Sequence, residues 1–334
     1  MSRDSGPGLW DQLSQVFPPK PGFTERDLPQ LHEKVYLITG ANTGLGKELA
    51  RMLYSKHAKV YIAARSEAKA NAAIDDIKKA EPASQGGLVF IKLDLADLST
   101  IKASAQYFLQ REKKLHVLFN NAGVMKPDPA GSKTAQGYEL QLGVNNVGTF
   151  MFTKLLTPVL AATAKTEGPG AVRVVWVGSS AGEAPLAPQG GVPLDNLDYH
   201  KDLGWFPKYC ISKAGNYLQG SEFARRHQSD GILSVTLNPG NLDSDLWRNQ
   251  SYVMGKILKW FVLHPPINGA YTELFAGLSP EVTIEKSGAW IAPFGRFMRP
   301  RKDLKEATKT EAEGGTGIAE KFWEWNEEQI TPFL

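Results

Sequence analysis

A single cysteine, Cys210, stands in a chain of 334 residues. One thiol excludes an internal disulfide and fits a reducing compartment, so a cytoplasmic location is expected. Cys210 itself reads as a small buried filler. Excess charge of one sign is also scarce: 38 Lys+Arg against 35 Asp+Glu leave +3. That balance excludes the strongly basic face a nucleic-acid partner would need. Apolar runs are short. None reaches the roughly 18–20 residues of a bilayer-spanning helix, so no transmembrane segment is expected. The start, Met1-Ser2-Arg3-Asp4, lacks the basic-then-apolar pattern of a signal sequence. No internal repeat or low-complexity tract is visible, and no metal site is expected. What is present is an ordinary globular composition, 42% hydrophobic and 22% charged, suited to one large domain or two small ones.

The first 33 residues read as an arm. Pro18, Pro19, Pro21 and Pro29 interrupt it, and Leu9, Trp10, Leu13, Val16 and Phe17 form one short apolar stripe. A short amphipathic helix and an extended segment lying on the domain are expected. From Lys34 the pattern becomes regular. Strands are predicted at 35–39, 59–64, 88–93, 115–119, 171–177 and 232–237, with a seventh at 289–292. Helices are predicted at 47–56, 66–80, 98–113, 136–160 and 207–227. Apolar strands alternating with helices imply an α/β fold: one Rossmann-type, doubly wound parallel sheet of about seven strands with helices on both faces. The expected organisation is an arm (1–33), a catalytic domain (34–300) and a tail (301–334) packed on it.

Between the first strand and first helix lies Gly40-Ala41-Asn42-Thr43-Gly44-Leu45-Gly46. Glycines in a strand–turn–helix let the backbone turn tightly and approach a pyrophosphate, with the helix N-terminus facing its charge. After the second strand an acid would bond the ribose 2′-hydroxyl of NAD. Here the run is Ala63-Ala64-Arg65-Ser66. Arg65 can pair with a 2′-phosphate and Ser66 can add a hydroxyl, which favours NADP(H). The competing reading has Arg65 lying on the surface while Ser66 caps its helix. Asp94, with Leu95 beside it, follows the third strand and could accept from an adenine amino group. Asn121, Ala122 and Gly123 close the fourth strand, where small residues admit backbone and cofactor and Asn121 can fix a turn. Tyr209-Cys210-Ile211-Ser212-Lys213 places a phenol and an ammonium one helical turn apart. The ammonium should pull the phenol below its usual value of about 10, towards working pH.

These motifs run in the order found in the short-chain dehydrogenase/reductase family, which the chain resembles over residues 34–240. They are Thr39-Gly40-x-x-x-Gly44-x-Gly46, Asp94, Asn120-Asn121-Ala122-Gly123, Asn145, Ser179, Tyr209-x-x-x-Lys213 and Pro239-Gly240. The phrases Thr-Gly-Ala-Asn-Thr-Gly-Leu-Gly-Lys and Val-Tyr-Ile-Ala-Ala-Arg look like the retinol-dehydrogenase-like branch. The two terminal arms look like those of its fungal relatives, many of which belong to secondary-metabolite pathways. The resemblance implies that Ser179 bonds the substrate oxygen, with Ser180 as the rival position. It implies that Tyr209 exchanges a proton with that oxygen. Lys213 would acidify Tyr209 and bond the nicotinamide ribose. Asn145, or else Asn146, would kink its helix and hold a water leading to Lys213. Pro239 and Gly240 would line the cofactor, and Ser244 would replace the family's usual threonine there.

Between Ser179 and Tyr209 the insert 183–206 reads as a loop along the substrate cleft, and 241–266 as a second one. Basic and apolar residues there also suit a membrane surface. Charged positions facing the cleft are not evident, so the expected partner is a hydrophobic carbonyl or alcohol. The family's interfaces suggest a homodimer or homotetramer. The reading is an NADP(H)-dependent oxidoreductase interconverting a ketone or aldehyde and an alcohol. A non-catalytic NADP(H)-binding regulator of the same fold is the alternative, and a nucleotide-sugar epimerase is a weaker one.

Overall fold

A computed structural model describes residues 6–127, 131–243 and 263–334. Helix α1 is Leu9–Val16. The alternating core follows as β1 (Val35–Thr39), α2 (Gly44–Ser55), β2 (Lys59–Ala64), α3 (Glu67–Ala80), β3 (Gly87–Lys92), α4 (Leu98–Leu109) and β4 (Val117–Asn120). Next come α5 (Leu140–Glu167), β5 (Val172–Val177), α6 (Trp205–His227), β6 (Ile232–Leu237), α7 (Pro266–Leu278), β7 (Trp290–Ala292), β8 (Arg296–Met298), α8 (Lys302–Ala307) and α9 (Ile318–Ile330).

The strands are spelled by branched and aromatic residues that suit a pleated, two-sided core. Every residue of Val-Tyr-Leu-Ile-Thr in β1 and Val-Arg-Val-Val-Trp-Val in β5 is buried. The order is β3-β2-β1-β4-β5-β6-β7-β8, parallel through β7. The sheet has eight strands, one more than the sequence suggested, and it is mixed, because β8 runs antiparallel to β7. β8 escapes the sequence reading because three residues carry no periodic signal; Gly295 (φ +87°) turns the chain back into a tight antiparallel hairpin. The chain order reverses between β1 and β4, and at that crevice an α/β sheet presents its ligand site.

Helices α2, α3 and α7 cover one face through Leu49, Leu53, Ile74, Ile77 and Leu274. Helices α4, α5 and α6 cover the other through Ile101, Phe108, Phe150, Leu156 and Phe223. Helix α9 closes over this side; Trp323 is 2% exposed and meets Phe150 edge-on at 4.6 Å. Helix α5 amends the expectation that nothing reaches bilayer length. By length and composition it could span one, yet 72% of its apolar window is buried within the fold. It is a core helix whose apolar character serves the sheet.

Several boundaries shift for physical reasons. Helix α2 starts at Gly44, because the glycine loop forms its first turn. Helix α6 starts at Trp205, two residues ahead of Pro207, since a proline is tolerated in a first turn. In α1 and at its C-cap the apolar residues Trp10, Leu13 and Phe17 do not face the body. Trp10 is 82%, Leu13 42% and Phe17 62% exposed, while polar Ser14 and Gln15 face inward. The rest of the arm is held by buried Leu28 and Leu31 and by Phe23, edge-on to Phe275 at 6.2 Å.

Candidate active site

The glycine loop shows why each small residue is needed. Gly40 has φ +71°, and a Cβ there would lie 3.0 Å from Ala122 Cα. A Cβ on Gly46 would lie 2.5 Å from Asn121 Nδ2, which donates to Thr39 O at 2.6 Å. The Ala122 N–H donates to Thr39 Oγ1 at 2.9 Å. Asn121 and Ala122 therefore buttress the loop from β4, and only glycine leaves room. On the open side Thr43 makes no side-chain cap, and a Cβ on Gly44 would meet nothing within 4 Å. The first-turn amides of α2 are thus approachable from Asn42, Thr43, Gly44 and Leu45. That is the cradle a diphosphate requires, so the residues present fit a dinucleotide.

At the end of β2, Arg65 is exposed and Ser66 caps α3 by accepting from Lys69 N at 3.4 Å. Lys92, the last residue of β3, is in register with Ala64 and donates to Arg65 O at 2.6 Å. A second cation therefore stands beside Arg65. Sequence reading missed it, although the parallel register of β2 and β3 was the available signal. Asp94 Oδ1 accepts from Ala96 N at 3.0 Å, which shapes the turn after β3, and Leu95 is buried against Gly148.

Above β5 the acid/base candidates converge. Ser179 Oγ accepts from Ala181 N at 3.2 Å and caps the short turn Ser180–Glu183. A Cβ on Gly182 would lie 2.8 Å from both Lys213 C and Ala214 N. That glycine lets the turn approach α6 and brings the Ser179 hydroxyl onto the Tyr209 phenol. Ser180 lies inside the turn. Phe206, in the first turn of α6, stacks on Tyr209 at 6.2 Å and 22°. Ala187, Val192 and Leu197 of the insert are buried against α6.

Asn145 lies in a π-helical segment, Gly143–Gly148, within α5. Such a bulge frees main-chain groups from the regular ladder. Asn145 O accepts from Asn216 Nδ2 at 2.6 Å. The Asn145 carboxamide accepts from Val124 N at 2.8 Å and donates to Val124 O at 3.0 Å and Ser212 Oγ at 2.9 Å. Asn146 is instead bound to Ser212 O and Gln219 Oε1 beneath α9. Of the two asparagines, Asn145 faces the Lys213 side, since a Cβ on Gly123 would lie 3.1 Å from Lys213 Nζ and 3.4 Å from Asn145 Oδ1.

The electrostatics differ from the sequence expectation. Burial pushes the Tyr209 phenol up to about 12; its bond with Ser179 pulls the other way without offsetting the burial. Lys213 does not acidify it in this state. Its ammonium donates to Val177 O at 2.8 Å and Asn216 Oδ1 at 3.3 Å, and burial brings it down to about 8. Desolvation dominates both groups, a term that residue spacing does not reveal. Cys210 is fully buried, and burial raises its thiol to about 11, an inert packing residue.

Asn238 Oδ1 accepts from Gly240 N at 3.1 Å, which fixes the Pro239-Gly240 turn after β6. Ser244 and most of the second expected loop, 241–266, lie outside the described residues. Among the described residues no group of three or more His, Cys, Asp and Glu is arranged to hold a metal.

A sequence model of the short chain dehydrogenase family matches residues 34–190. A short-chain dehydrogenase/reductase of Phomopsis amygdali is 56% identical over 330 residues, covering 98% of each chain. The short-chain dehydrogenase/reductase bet4 of Neocamarosporium betae is 51% identical, covering 96% of this chain and 93% of its own. Among solved structures, an uncharacterised protein from Mycobacterium paratuberculosis superposes with a TM-score of 0.67 at 26% identity, covering 93% of this chain and 98% of its own. An NADPH-bound carbonyl reductase from chicken fatty liver shares the fold with a TM-score of 0.61 at 21% identity, covering 80% of this chain and all of its own. The chain belongs to the short-chain dehydrogenase/reductase family of oxidoreductases.

Proposed function

We propose that this protein is an NADP(H)-dependent oxidoreductase that interconverts a ketone or aldehyde with an alcohol on a hydrophobic small molecule. One observation carries the reading. The Ser179 hydroxyl meets the Tyr209 phenol one turn from Lys213, in the crevice beside the open glycine loop. The bound nicotinamide supplies or accepts the hydride.

The chain's own residues do the rest. Ser179 donates to the substrate oxygen and stabilises charge developing there. Tyr209 OH gives its proton to that oxygen during reduction. A phenol near 12 is fully protonated at neutral pH and ready for this. Lys213, supported by Asn216 and through it by Asn145, holds the ribose. The resulting positive charge near Tyr209 favours the phenolate as the proton leaves. Asn42, Thr43, Gly44, Leu45 and Gly46 cradle the diphosphate, while Asp94 and Leu95 border the adenine and Asn121, Ala122, Gly123, Pro239 and Gly240 line the remaining wall. Arg65, Ser66 and Lys92 receive the 2′-phosphate, with no acid at the end of β2 to oppose it.

Apolar Phe206, 36% exposed and stacked on Tyr209, suits a lipophilic substrate beside the phenol. The retinol-dehydrogenase-like motifs fit the same substrate class. A non-catalytic NADP(H)-binding role is the competing reading. NADPH oxidation across a panel of lipophilic ketones separates the two. Turnover of at least one ketone is expected; tight NADPH binding with no turnover of any would favour the regulator.

A further inference from the structure

The segment ahead of β1 contributes a residue to the frame of the active site. Gln15 is 6% exposed, and both ends of its amide are engaged. Its Nε2 donates to Glu183 Oε2 at 2.8 Å, and its Oε1 accepts from Asn238 Nδ2 at 2.8 Å. Glu183 ends the turn that begins at Ser179, and Asn238 holds the Gly240 N–H. Gln15 therefore links the loops that leave the neighbouring strands β5 and β6 on the side where Tyr209 lies. The chain continues on its far side, where Glu183 Oε1 accepts from Arg301 N at 3.0 Å. Arg301 in turn donates to Ala184 O at 2.6 Å and Pro188 O at 2.8 Å in the insert.

Helix α1 is itself held in place. Arg296 of β8 donates to Ser14 O at 2.8 Å and Ser14 Oγ at 2.9 Å. The exposed apolar stripe of α1 argues against hydrophobic docking as the reason for its position. Its polar face makes the attachment, through Ser14 and Gln15. Glu183 is half-buried, and its partial desolvation raises its carboxyl above the ordinary range, while the Gln15 and Arg301 donors pull the other way. Removing Gln15 would leave that carboxyl with fewer donors in a place it cannot easily leave.

We propose that Gln15 is a positioning residue that sets the Ser179 loop against the Pro239-Gly240 turn. It thereby fixes the slot in which the substrate carbonyl meets Tyr209. The kinetic part rests on the oxidoreductase reading above; the structural part does not.

The test uses the full chain and three variants. Gln15→Leu removes both bonds. Gln15→Glu keeps the acceptor for Asn238 but sets a carboxylate against Glu183. The double variant Gln15→Glu with Glu183→Gln reverses donor and acceptor and can re-form all three bonds. Hydrogen exchange of residues 178–191 and 237–241 should quicken in both single variants by about tenfold, as expected when one or two hydrogen bonds to a charged partner are lost, and return towards wild type in the double variant. With NADPH and a ketone substrate, kcat/KM should fall about tenfold in the single variants and recover to within about threefold in the double one. Unchanged exchange in Gln15→Leu, or no recovery in the double variant, overturns the tether. Changed exchange with unchanged kcat/KM overturns the positioning role. A wild-type protein inert towards every ketone counts against the proposed function alone, because the exchange measurement still decides whether Gln15 joins the two loops.

Discussion

On the proposed NADP(H) reading, cofactor choice depends on two cations, only one of which stands at the expected position. Lys92 Nζ lies 2.6 Å from Arg65 O, so its ammonium stays close to the Arg65 backbone while the guanidinium extends from the same residue. A 2′-phosphate arriving there would gain a charge-assisted bond from each. At about 1.5–3 kcal/mol per bond to a charged group, each cation should contribute about 10- to 150-fold of preference for NADPH over NADH. Both residues are exposed, so screening and side-chain entropy should place the result at the low end, about tenfold each. Arg65→Ala and Lys92→Ala, with the double variant, can be titrated with NADPH and NADH by fluorescence at one fixed ionic strength. NADPH affinity should drop about tenfold in each single variant, and NADH affinity should move less than about twofold. Loss of the Lys92–Arg65 bond could also loosen the loop, but that would weaken both cofactors equally. Equal weakening, or a wild type that prefers NADH, would refute the reasoning.

Three further predictions concern buried groups. Lys213 has a folded-state value of about 8 against 10.5 unperturbed, so above pH 8 the unfolded chain binds the extra proton and stability rises with pH. Between about pH 8 and 10 the ligand-free protein should gain about 2 kcal/mol relative to Lys213→Met in urea unfolding, and parallel curves would contradict this. Glu273 is fully buried in α7 with both carboxylate oxygens unpartnered, and burial raises it well above 4.5. A raised carboxyl contributes its stability at low pH and loses it as pH rises, so thermal unfolding should show Glu273→Leu more stable by about 1–3 kcal/mol at neutral pH, with the gap narrowing as pH falls towards 4. With Tyr209 near 12, ketone reduction should stay level between about pH 6 and 8. Alcohol oxidation, which needs the phenolate, should rise about tenfold per pH unit below the phenol's value in the complex; pH–rate profiles in both directions check this.

Much of the fold was legible because its signals are local. β1, β5 and β6 are mostly apolar runs, and the glycine loop sits where a strand becomes a helix, so neither needed distant information. The Tyr209–Lys213 spacing was equally local. What it could not convey was solvent exposure: burial outweighs the charge–charge effect expected from one helical turn, and it moves the two groups in opposite directions. Gln15 was invisible for a related reason. Its partners lie 168 and 223 positions away, and a lone glutamine on an amphipathic helix carries no periodic mark. Helix α1 misleads further, because its apolar residues point out and its polar ones dock. β8 is three residues long, too short to register, yet its Arg296 is what fastens that helix.

The proposed chemistry requires the Tyr209 phenol to move the proton. The direct measurement is kcat for ketone reduction by Tyr209→Phe, with NADPH affinity measured on the same sample. A positioned acid contributes about 100- to 10,000-fold, so kcat should fall by that factor while NADPH affinity stays within about threefold of wild type. A phenylalanine variant that turns over within about threefold of wild type would contradict the claim.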